Sequence, residues 1–486
     1  MATASTARPA PATRSGGALH RLAPAALTAV AVAAVLRVVY GPWSLNFDAR
    51  YALLWARDLA HGHAPEYEAA FAPTPHPLQT ALGLLALPFG DASDDVMLLV
   101  TLLAFGALVY LAYALGAQLF SPWVGLVAAL AVLTRPAIER DALLAYQDIP
   151  FAALVVGAVL VEARRPRAGV PVLAILAVAG LLRPEAWVLS GLYVLWIWRA
   201  TDRRALAIAL AATAPLIWAL SDWLVTGDPL HSLHGTADLA VANDRRRSIA
   251  DVPYWTAQYF GYALREPLVA GIPIGLAFAW RHARRAAVLP LAVVVAMVAV
   301  FAIGPLFELP LIRRYIEAPA VLLCLFYGLA VAGWATLPRD APSRNRWLAA
   351  GVVAALCSVV FLPWHARMLS TVASRIDQDG AMYGDLQQAS RAPAVEAAFA
   401  KCPDLTAGDH RPMPFVRFWL GGAPGTVTTV EGGASPMGKL LLMPVKGPTT
   451  RRIYPSQVFP KVATPPGWRT VYANRSWRVS AAPGCA

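Results

Sequence analysis

The chain has 486 residues, of which 58% are hydrophobic and only 14% are charged. Soluble domains carry about 25% charged residues, so this composition excludes an ordinary soluble enzyme. It also excludes a disordered chain, which needs low hydrophobicity and high net charge. The formal net charge of +12 could suggest nucleic-acid binding. In so apolar a chain we instead predict a membrane protein without a nucleic-acid partner, whose basic residues lie in its loops.

The N-terminal segment is basic and leads into an apolar stretch. Residues 1–22 contain three arginines and no acidic residue, and the apolar stretch covers residues 23–42. A secretory signal peptide begins in a similar way. This stretch, however, is long, contains Arg37 and lacks a small-residue cleavage site before Trp43. We therefore predict a cytoplasmic tail at residues 1–22 followed by a retained first span.

Further apolar stretches alternate with short basic turns after residue 95. The four basic turns are Arg164, Arg165 and Arg167; Arg199, Arg203 and Arg204; Arg281, Arg284 and Arg285; and Arg339, Arg344 and Arg346. They fall on alternate connections, as the positive-inside rule requires of cytoplasmic loops. At roughly 20 apolar residues per span, we predict about eleven transmembrane helices within residues 23–363, several of them short. The loop at residues 43–95 is then outside the cytoplasm and contains an interfacial helix at residues 77–89.

The composition changes from about residue 364 onward. Residues 377–400 have a helical pattern, and short apolar runs bounded by Gly and Pro follow. We predict that four of these runs are strands, at residues 415–420, 427–430, 440–445 and 468–479. Residues 364–486 are thus predicted to form a small α/β domain outside the cytoplasm.

The four cysteines divide between these two regions. Cys324 and Cys357 lie in predicted spans, where a thiol behaves as a small hydrophobe. Cys402 and Cys485 bracket the C-terminal domain, in a compartment where oxidation occurs. We predict a disulfide between them; the alternative is two unpaired thiols.

Acidic residues and arginines recur on five predicted outer segments. The segments contain Asp48, Arg50 and Tyr51 with Glu66, Glu68 and His76; Asp148; Arg183 with Glu185; His231 and His234; and Arg313, Arg314 and Tyr315. A carboxylate can act as a general base toward a hydroxyl, and arginine recognises phosphate. The set suits an enzyme that takes a phosphate-bearing lipid and a hydroxyl acceptor. The alternative for any single charge is that it caps a span end; Asp148, before Ile-Pro, also suits a helix N-cap.

The order of the motifs resembles a known family. An outer loop opens with Asp48-x-Arg50-Tyr51 and continues to His76-Pro77-Leu78, a later turn has Asp148-x-Pro150, and Arg314-Tyr315-x-x-x-Pro319 leads into a span. This order is similar to that of GT-C glycosyltransferases that use polyprenyl-phosphate sugars. That group contains the protein O-mannosyltransferases and the lipid A aminoarabinose transferase. The resemblance covers roughly residues 20–335.

The resemblance implies a polytopic α-helical GT-C fold and transfer of a sugar, with inversion, from a polyprenyl-phosphate donor to a hydroxyl on a glycan, lipid or protein. It implies that Asp48 is the base and that Asp148 supports the site or a divalent metal. Arg313, Arg314 and Tyr315 would bind the leaving phosphate, and Arg183 is added from its position alone. The other substrate-loop candidates are Arg50, Tyr51, His76, Glu185, His231 and His234.

Two departures bear on the metal. Many relatives have Asp-Glu where this chain has Asp48-Ala49, and Lys-Pro where it has His76-Pro77. The missing second acid weakens the case for a metal. His76, His231, His234, Glu66 and Glu68 could be ligands, but no spacing relates them, so solvated loop residues are favoured.

Two other functions are compatible with the composition. A secondary transporter would place charges near the bilayer midplane on broken helices, whereas here the predicted spans are nearly free of carboxylates. A non-catalytic envelope protein that binds lipid-linked intermediates would keep the arginines but would not need Asp48.

Overall fold

A computed structural model describes residues 18–41 and 44–486. Residues 1–17 of the predicted cytoplasmic tail lie outside the described residues. The larger part of the chain is helical. Its α-helices are α1 Ala18–Tyr40, α2 Phe47–Ala60, α3 Pro77–Ala86, α4 Ser93–Leu119, α5 Pro122–Leu133, α6 Pro136–Leu143, α7 Asp148–Arg164, α8 Val170–Gly180, α9 Glu185–Ile197, α10 Arg204–Thr226, α11 His231–Ala242, α12 Val252–Leu264, α13 Leu268–His282, α14 Arg284–Ile303, α15 Glu317–Ala332 and α16 Arg344–Ser390. Short 3-10 helices cover Leu87–Ala92, Ile249–Asp251, Gly304–Phe307, Arg313–Ile316 and Gly333–Thr336.

The described residues contain six helices long and apolar enough to cross a membrane, or up to eight if two bent pairs each count as one span. The predicted count of about eleven therefore stays a prediction. Two of the predicted short spans correspond to α8 and α9, which have 11 and 13 residues. The predicted interfacial helix at residues 77–89 forms α3, which continues through a 3-10 turn into α4. Large apolar side chains face outward on α10, α14 and α16, as lipid-facing helices require.

Helix α15 lies at the centre of the bundle. The candidate span that contains it is 89% buried inside the protein, against 11% for the least buried of the six candidates. Small residues allow close packing there: a Cβ on Gly275 of α13 would lie 1.6 Å from the carbonyl oxygen of Phe326 in α15. The turn that precedes α15, Arg313–Ile316, is thereby fixed at one end of the bundle's core.

The C-terminal domain is joined to the bundle by α16, a single helix of 47 residues that passes through the predicted boundary at residue 364. The domain adds helices α17 Pro393–Lys401 and α18 Met413–Leu420. Its strands are β1 Leu405–Ala407, β2 Val427–Thr429, β3 Leu440–Pro444, β4 Arg469–Ala473 and β5 Trp477–Ala481. They form one sheet in the order β2-β1-β3-β5-β4, parallel among β1, β2 and β3 and antiparallel at β5. Cys402 and Cys485 are joined by a disulfide.

The domain's predicted elements need two corrections. The predicted strand at residues 415–420 is wrong, since these residues lie in α18. Periodicity does not distinguish a short apolar run in a strand from one in a helix, whereas Pro414 in the first turn and Gly421 after the last are helix signals. The predicted strand at residues 468–479 is two strands, β4 and β5, which pair as a hairpin.

Candidate active site

Four chain segments meet at one end of the bundle. Asp48 lies in the first turn of α2, whose N-cap residue Asn46 accepts a hydrogen bond from the backbone N–H of Ala49. Asp148 is the first residue of α7. Arg183 lies in the short link between α8 and α9, and Arg314 lies in the 3-10 turn before α15. Each side chain is thus held at the end of a packed helix, which gives the site a rigid frame.

Arg314 joins the two predicted catalytic carboxylates. Both of its Nη atoms donate to Oδ2 of Asp48 at 3.1 Å, and Nη1 also lies 3.3 Å from Oδ2 of Asp148. Its guanidinium lies over the ring of Tyr146, 4.1 Å from the centroid. The side chain of Asp48 is 19% exposed, whereas that of Asp148 is only 1% exposed. A molecule that enters the site therefore meets Asp48 and Arg314 first.

Arg183 holds the inner side of the site. It pairs with the other oxygen of Asp148, Oδ1, and donates from Nη2 to Oε1 of Glu185 at 2.7 Å. Its guanidinium lies 4.3 Å from the ring centroid of Tyr315. We call Asp48, Asp148, Glu185, Arg183 and Arg314 the arginine–carboxylate cluster; its three carboxylates outnumber its two guanidinium groups.

Arg313 does not belong to this cluster, although it precedes Arg314 in the sequence. It pairs with Asp141 of α6 and donates to Oε1 of Glu317 at 2.7 Å. Both carboxylates are buried. The sequence grouped the two arginines as one phosphate-binding pair, but successive residues of a 3-10 turn point about 120° apart. Asp141 and Tyr146 were not predicted as site residues; the four-residue spacing of Arg313 and Glu317 was the one signal for their pairing.

His76 reaches the edge of the cluster. Its Nε2 lies against the amide nitrogen of Gln147, the residue before Asp148. Burial, followed by repulsion from Arg183, lowers the pKa of His76 to about 3. The imidazole is therefore neutral at physiological pH.

The remaining predicted substrate-loop residues lie elsewhere. Arg50 is fully buried, pairs with Asp94 and packs over Phe415 of the C-terminal domain, 4.8 Å from the ring centroid. Tyr51 is buried too and packs against Phe47 and Trp55 of its own helix. His231 and His234 line a separate cavity beside the first loop.

The described residues include no group of three or more His, Cys, Asp or Glu side chains that could hold a metal ion. The two carboxylates with the best positions, Asp48 and Asp148, both face arginine instead. Glu66 pairs with Arg417, and Glu68 lines the same cavity as His231 and His234 without forming such a group with them. The residues present therefore do not fit a divalent metal, and we derive no step through one.

The chain has the polytopic helical fold that the resemblance to GT-C glycosyltransferases implied. No protein-family model matches the chain. A comparison with curated proteins likewise gives no match.

Solved structures do match it. The chain is similar to ArnT from Cupriavidus metallidurans bound to undecaprenyl phosphate, with a TM-score of 0.58 and 16% identity over 97% of this chain and 99% of that one. It is similar to the same protein in the apo state, with a TM-score of 0.52 and 15% identity over 95% and 98% of the two chains. It is also similar to an oligosaccharyltransferase from Archaeoglobus fulgidus in the apo form, with a TM-score of 0.52 and 11% identity over 89% and 70%. At such identities the likeness shows a shared fold.

Proposed function

We propose that the protein is a membrane glycosyltransferase that moves a sugar from a polyprenyl-phosphate donor to a hydroxyl acceptor, with inversion. The observation that carries the proposal is the position of Asp48, a partly exposed carboxylate of an otherwise more deeply buried cluster, beside an arginine that can receive phosphate. Sharing a fold with a protein whose structure holds undecaprenyl phosphate supports the donor class.

Asp48 acts as the general base in this proposal. Its carboxylate takes the proton of the acceptor hydroxyl while that oxygen forms a bond to the anomeric carbon of the sugar. The bond between the anomeric carbon and the phosphate oxygen breaks on the opposite side, so the configuration inverts. Polyprenyl phosphate leaves with the bonding electrons.

Arg314 receives the leaving phosphate, because an arginine fork matches phosphate oxygens and neutralises the developing charge. Asp148 and Arg183 form the inner pair and hold Arg314 and Tyr315 in place. Arg313 positions the turn through Asp141 and Glu317 rather than touching the donor. Of the two arginines predicted to bind phosphate, Arg314 is thus the phosphate ligand and Arg313 is a positioning residue.

We further propose that the cluster and the C-terminal domain face away from the cytoplasm. Helices α7, α9 and α15 start at or beside the cluster, at Asp148, Glu185 and Glu317. Each runs to a predicted basic turn at its other end. Clustered arginines mark the cytoplasmic side of a membrane protein, so the opposite end is the outer one.

Donor consumption tests the function. Purified protein in lipid nanodiscs is incubated with a panel of polyprenyl-phosphate sugars and acceptors, and loss of donor is measured. Asp48→Asn should lower turnover by about 10²–10⁴-fold, the usual contribution of a general base, while polyprenyl phosphate still binds. Asp244→Asn removes an exposed carboxylate of another loop and is the matched control.

Each alternative has its own outcome. A non-catalytic binding protein would retain the donor without consuming it, and a transporter would move substrate across liposomes with no change in its covalent structure. Full turnover in Asp48→Asn would remove Asp48 as the base.

Sidedness is tested with an impermeant maleimide on intact cells. Both Lys461, in the C-terminal domain, and Arg346, in the first turn of α16, are exposed. Lys461→Cys should react, whereas Arg346→Cys should react only after the cells are opened. The reverse pattern would contradict the proposed orientation.

A further inference from the structure

A second cavity adjoins the cluster, and none of the proposed catalytic residues lines it. It has a volume of about 440 Å³ and lies between residues 67–75 of the first loop and residues 228–242, which include α11. Pockets for small molecules usually measure about 300–1,000 Å³, so this cavity has room for a sugar unit.

The lining is acidic and rich in hydroxyl groups. Its carboxylates belong to Glu68, Asp228 and Asp238, and its lining residues, all among those described, include neither lysine nor arginine. The basic side chains of the lining are the imidazoles of His231 and His234, which three carboxylates outnumber, so the lining disfavours an anion such as phosphate. Carboxylates are strong acceptors for the hydroxyl groups that a sugar presents in pairs along its ring.

Two of these carboxylates are available for a ligand. Asp228 is engaged: its Oδ2 lies 2.6 Å from Nδ1 of His234 and its Oδ1 accepts from the backbone N–H of Leu230 at 2.9 Å. Glu68 and Asp238 form no hydrogen bond or ion pair with any residue that the structure describes, and both are exposed. They are free to accept hydrogen bonds from an incoming molecule.

Aromatic side chains form the other part of the wall and are held in place from behind. Tyr67 is buried and packs on Trp55 of α2, with 4.9 Å between ring centroids. Phe71 stacks on His410 of the C-terminal domain at 4.5 Å and 15°. The backbone of Phe71 has φ +61°, a conformation that a bulky residue adopts only where its surroundings enforce it. Tyr67 also stacks on His231, with 6.2 Å between ring centroids, so the partly exposed ring of Phe71 is the aromatic face that suits the apolar C–H face of a sugar ring.

The cavity is continuous in sequence with the catalytic cluster. Thr74 and Pro75 line it, and Thr74 is tied to Thr236 of α11 by a hydrogen bond of 2.5 Å. The next residue, His76, lies at the edge of the cluster against Gln147. Pro75 and His76 are consecutive, so the wall of the cavity comes within one residue, about 3.8 Å between Cα atoms, of the residue at the cluster's edge.

We infer that this cavity binds the acceptor, and that the part of the acceptor it holds is an uncharged sugar ring. The inference rests on the proposed function, because it takes the cluster as the place where the sugar is transferred. It narrows the acceptor to a carbohydrate whose phosphate groups, if it has any, lie away from the cavity.

The experiment separates binding from transfer. First, methyl hexosides and methyl pentosides are tested for binding to the nanodisc protein without donor, by saturation-transfer NMR, against their 6-phosphate or 5-phosphate forms. We expect the uncharged glycosides to show contacts that Asp238→Asn with Glu68→Gln removes. Asp244→Asn, an exposed carboxylate outside the cavity, should leave the contacts intact.

Second, transfer is measured with the donor that the wild type consumes. Each single variant should raise the KM for an uncharged glycoside about threefold to tenfold, the loss of one charge-assisted hydrogen bond at an exposed site. The kcat, the donor KM and the slow hydrolysis of donor without acceptor should stay within about twofold.

The outcomes distinguish the two proposals. If the double variant turns over donor with an unchanged acceptor KM and unchanged NMR contacts, the cavity is not the acceptor site. The proposed glycosyltransferase activity would then still stand. Preference for the phosphorylated glycosides would likewise overturn the cavity as the acceptor site. Loss of NMR contacts in the double variant of a protein that consumes no donor would support a sugar site and overturn the proposed function.

Discussion

A single oxygen of Asp48, Oδ2, accepts hydrogen bonds from both Nη atoms of Arg314 at 3.1 Å. The proposed base therefore lies against the proposed phosphate ligand. A phosphate that binds Arg314 competes for the same guanidinium fork and frees the carboxylate to take a proton. The donor would thus prepare the base that acts on the acceptor, and the order of binding would be donor first.

Arg314→Ala should weaken donor binding more than it affects folding. One charge-assisted contact is usually worth about 1.5–3 kcal/mol, which corresponds to a loss of roughly tenfold to 150-fold in affinity. Arg314→Lys keeps the charge but lacks the fork, so its affinity should fall in between. Calorimetric titration with polyprenyl phosphate measures both, and equal affinity in all three proteins would remove Arg314 from the phosphate site.

Arg313→Ala should instead destabilise the protein. It leaves the buried Glu317 without its cation and Asp141 with Arg140 alone, and breaking a buried pair usually costs about 3–5 kcal/mol. Thermal unfolding in detergent measures it, and polyprenyl phosphate affinity in the folded fraction should stay near that of the wild type. Arg247→Ala, which removes an exposed partner of Glu308, should change little. A donor-binding defect without a loss of stability would show that Arg313 touches the donor.

How far the sequence predicts this site depends on where each charge sits. Asp48, Asp148 and Arg314 were all predicted from helix ends on one face of the membrane, and helix ends on one face meet when the helices bundle. The different partners of Arg313 and Arg314 were not predictable. A 3-10 helix has three residues per turn, so neighbouring side chains point in different directions and contact different residues.

Contacts between residues far apart in the sequence could not be predicted either. Arg417 of α18 donates to Asp58 of α2 at 2.6 Å, across 359 residues. No sequence pattern relates these two charges. The wrong prediction of a strand at residues 415–420 also made the pair harder to predict. Side chains alternate between faces in a strand but not in a helix, so Arg417 would point in a different direction.

Arg417→Ala should loosen the C-terminal domain from α2. The arginine side chain is 3% exposed and also reaches Glu66 at 3.1 Å, so its loss leaves two largely buried carboxylates unpaired. We expect a loss of about 3–5 kcal/mol and faster proteolysis near residue 390. Donor turnover should fall too, since α2 carries Asp48.

An ion pair between the end of α16 and the 3-10 helix Leu87–Ala92 supplies the control. Arg391 and Asp91 pair on the surface, and Arg391→Ala should change neither proteolysis nor turnover. Combining Arg417→Ala with Asp58→Asn and Glu66→Gln should restore part of the stability, because the unpaired charges are then absent. If the triple variant is no more stable than Arg417→Ala, unpaired buried charge is not the cause of the lost stability.

The disulfide should stabilise the C-terminal domain. Cys402 and Cys485 are 83 residues apart, and closing a loop of that size is worth about 4–5 kcal/mol in the chain-entropy model. Cys402→Ser with Cys485→Ser should lower the unfolding temperature of the domain and leave polyprenyl phosphate affinity unchanged. If the double variant and the reduced wild type both unfold at the same temperature as the oxidised wild type, the disulfide does not stabilise the domain.

His76 should make stability depend on pH. Its pKa is about 3 in the folded protein, lowered chiefly by burial, against an ordinary value of 6.5. Between these values the unfolded chain binds a proton that the folded protein does not, so stability is full above about pH 6.5 and declines as the pH falls, by up to about 1.4 kcal/mol per pH unit. His76→Gln cannot take up that proton and should lose less stability between pH 7 and pH 5. The measurement is thermal unfolding of both proteins across that range, and parallel curves would show that His76 is protonated equally in both states.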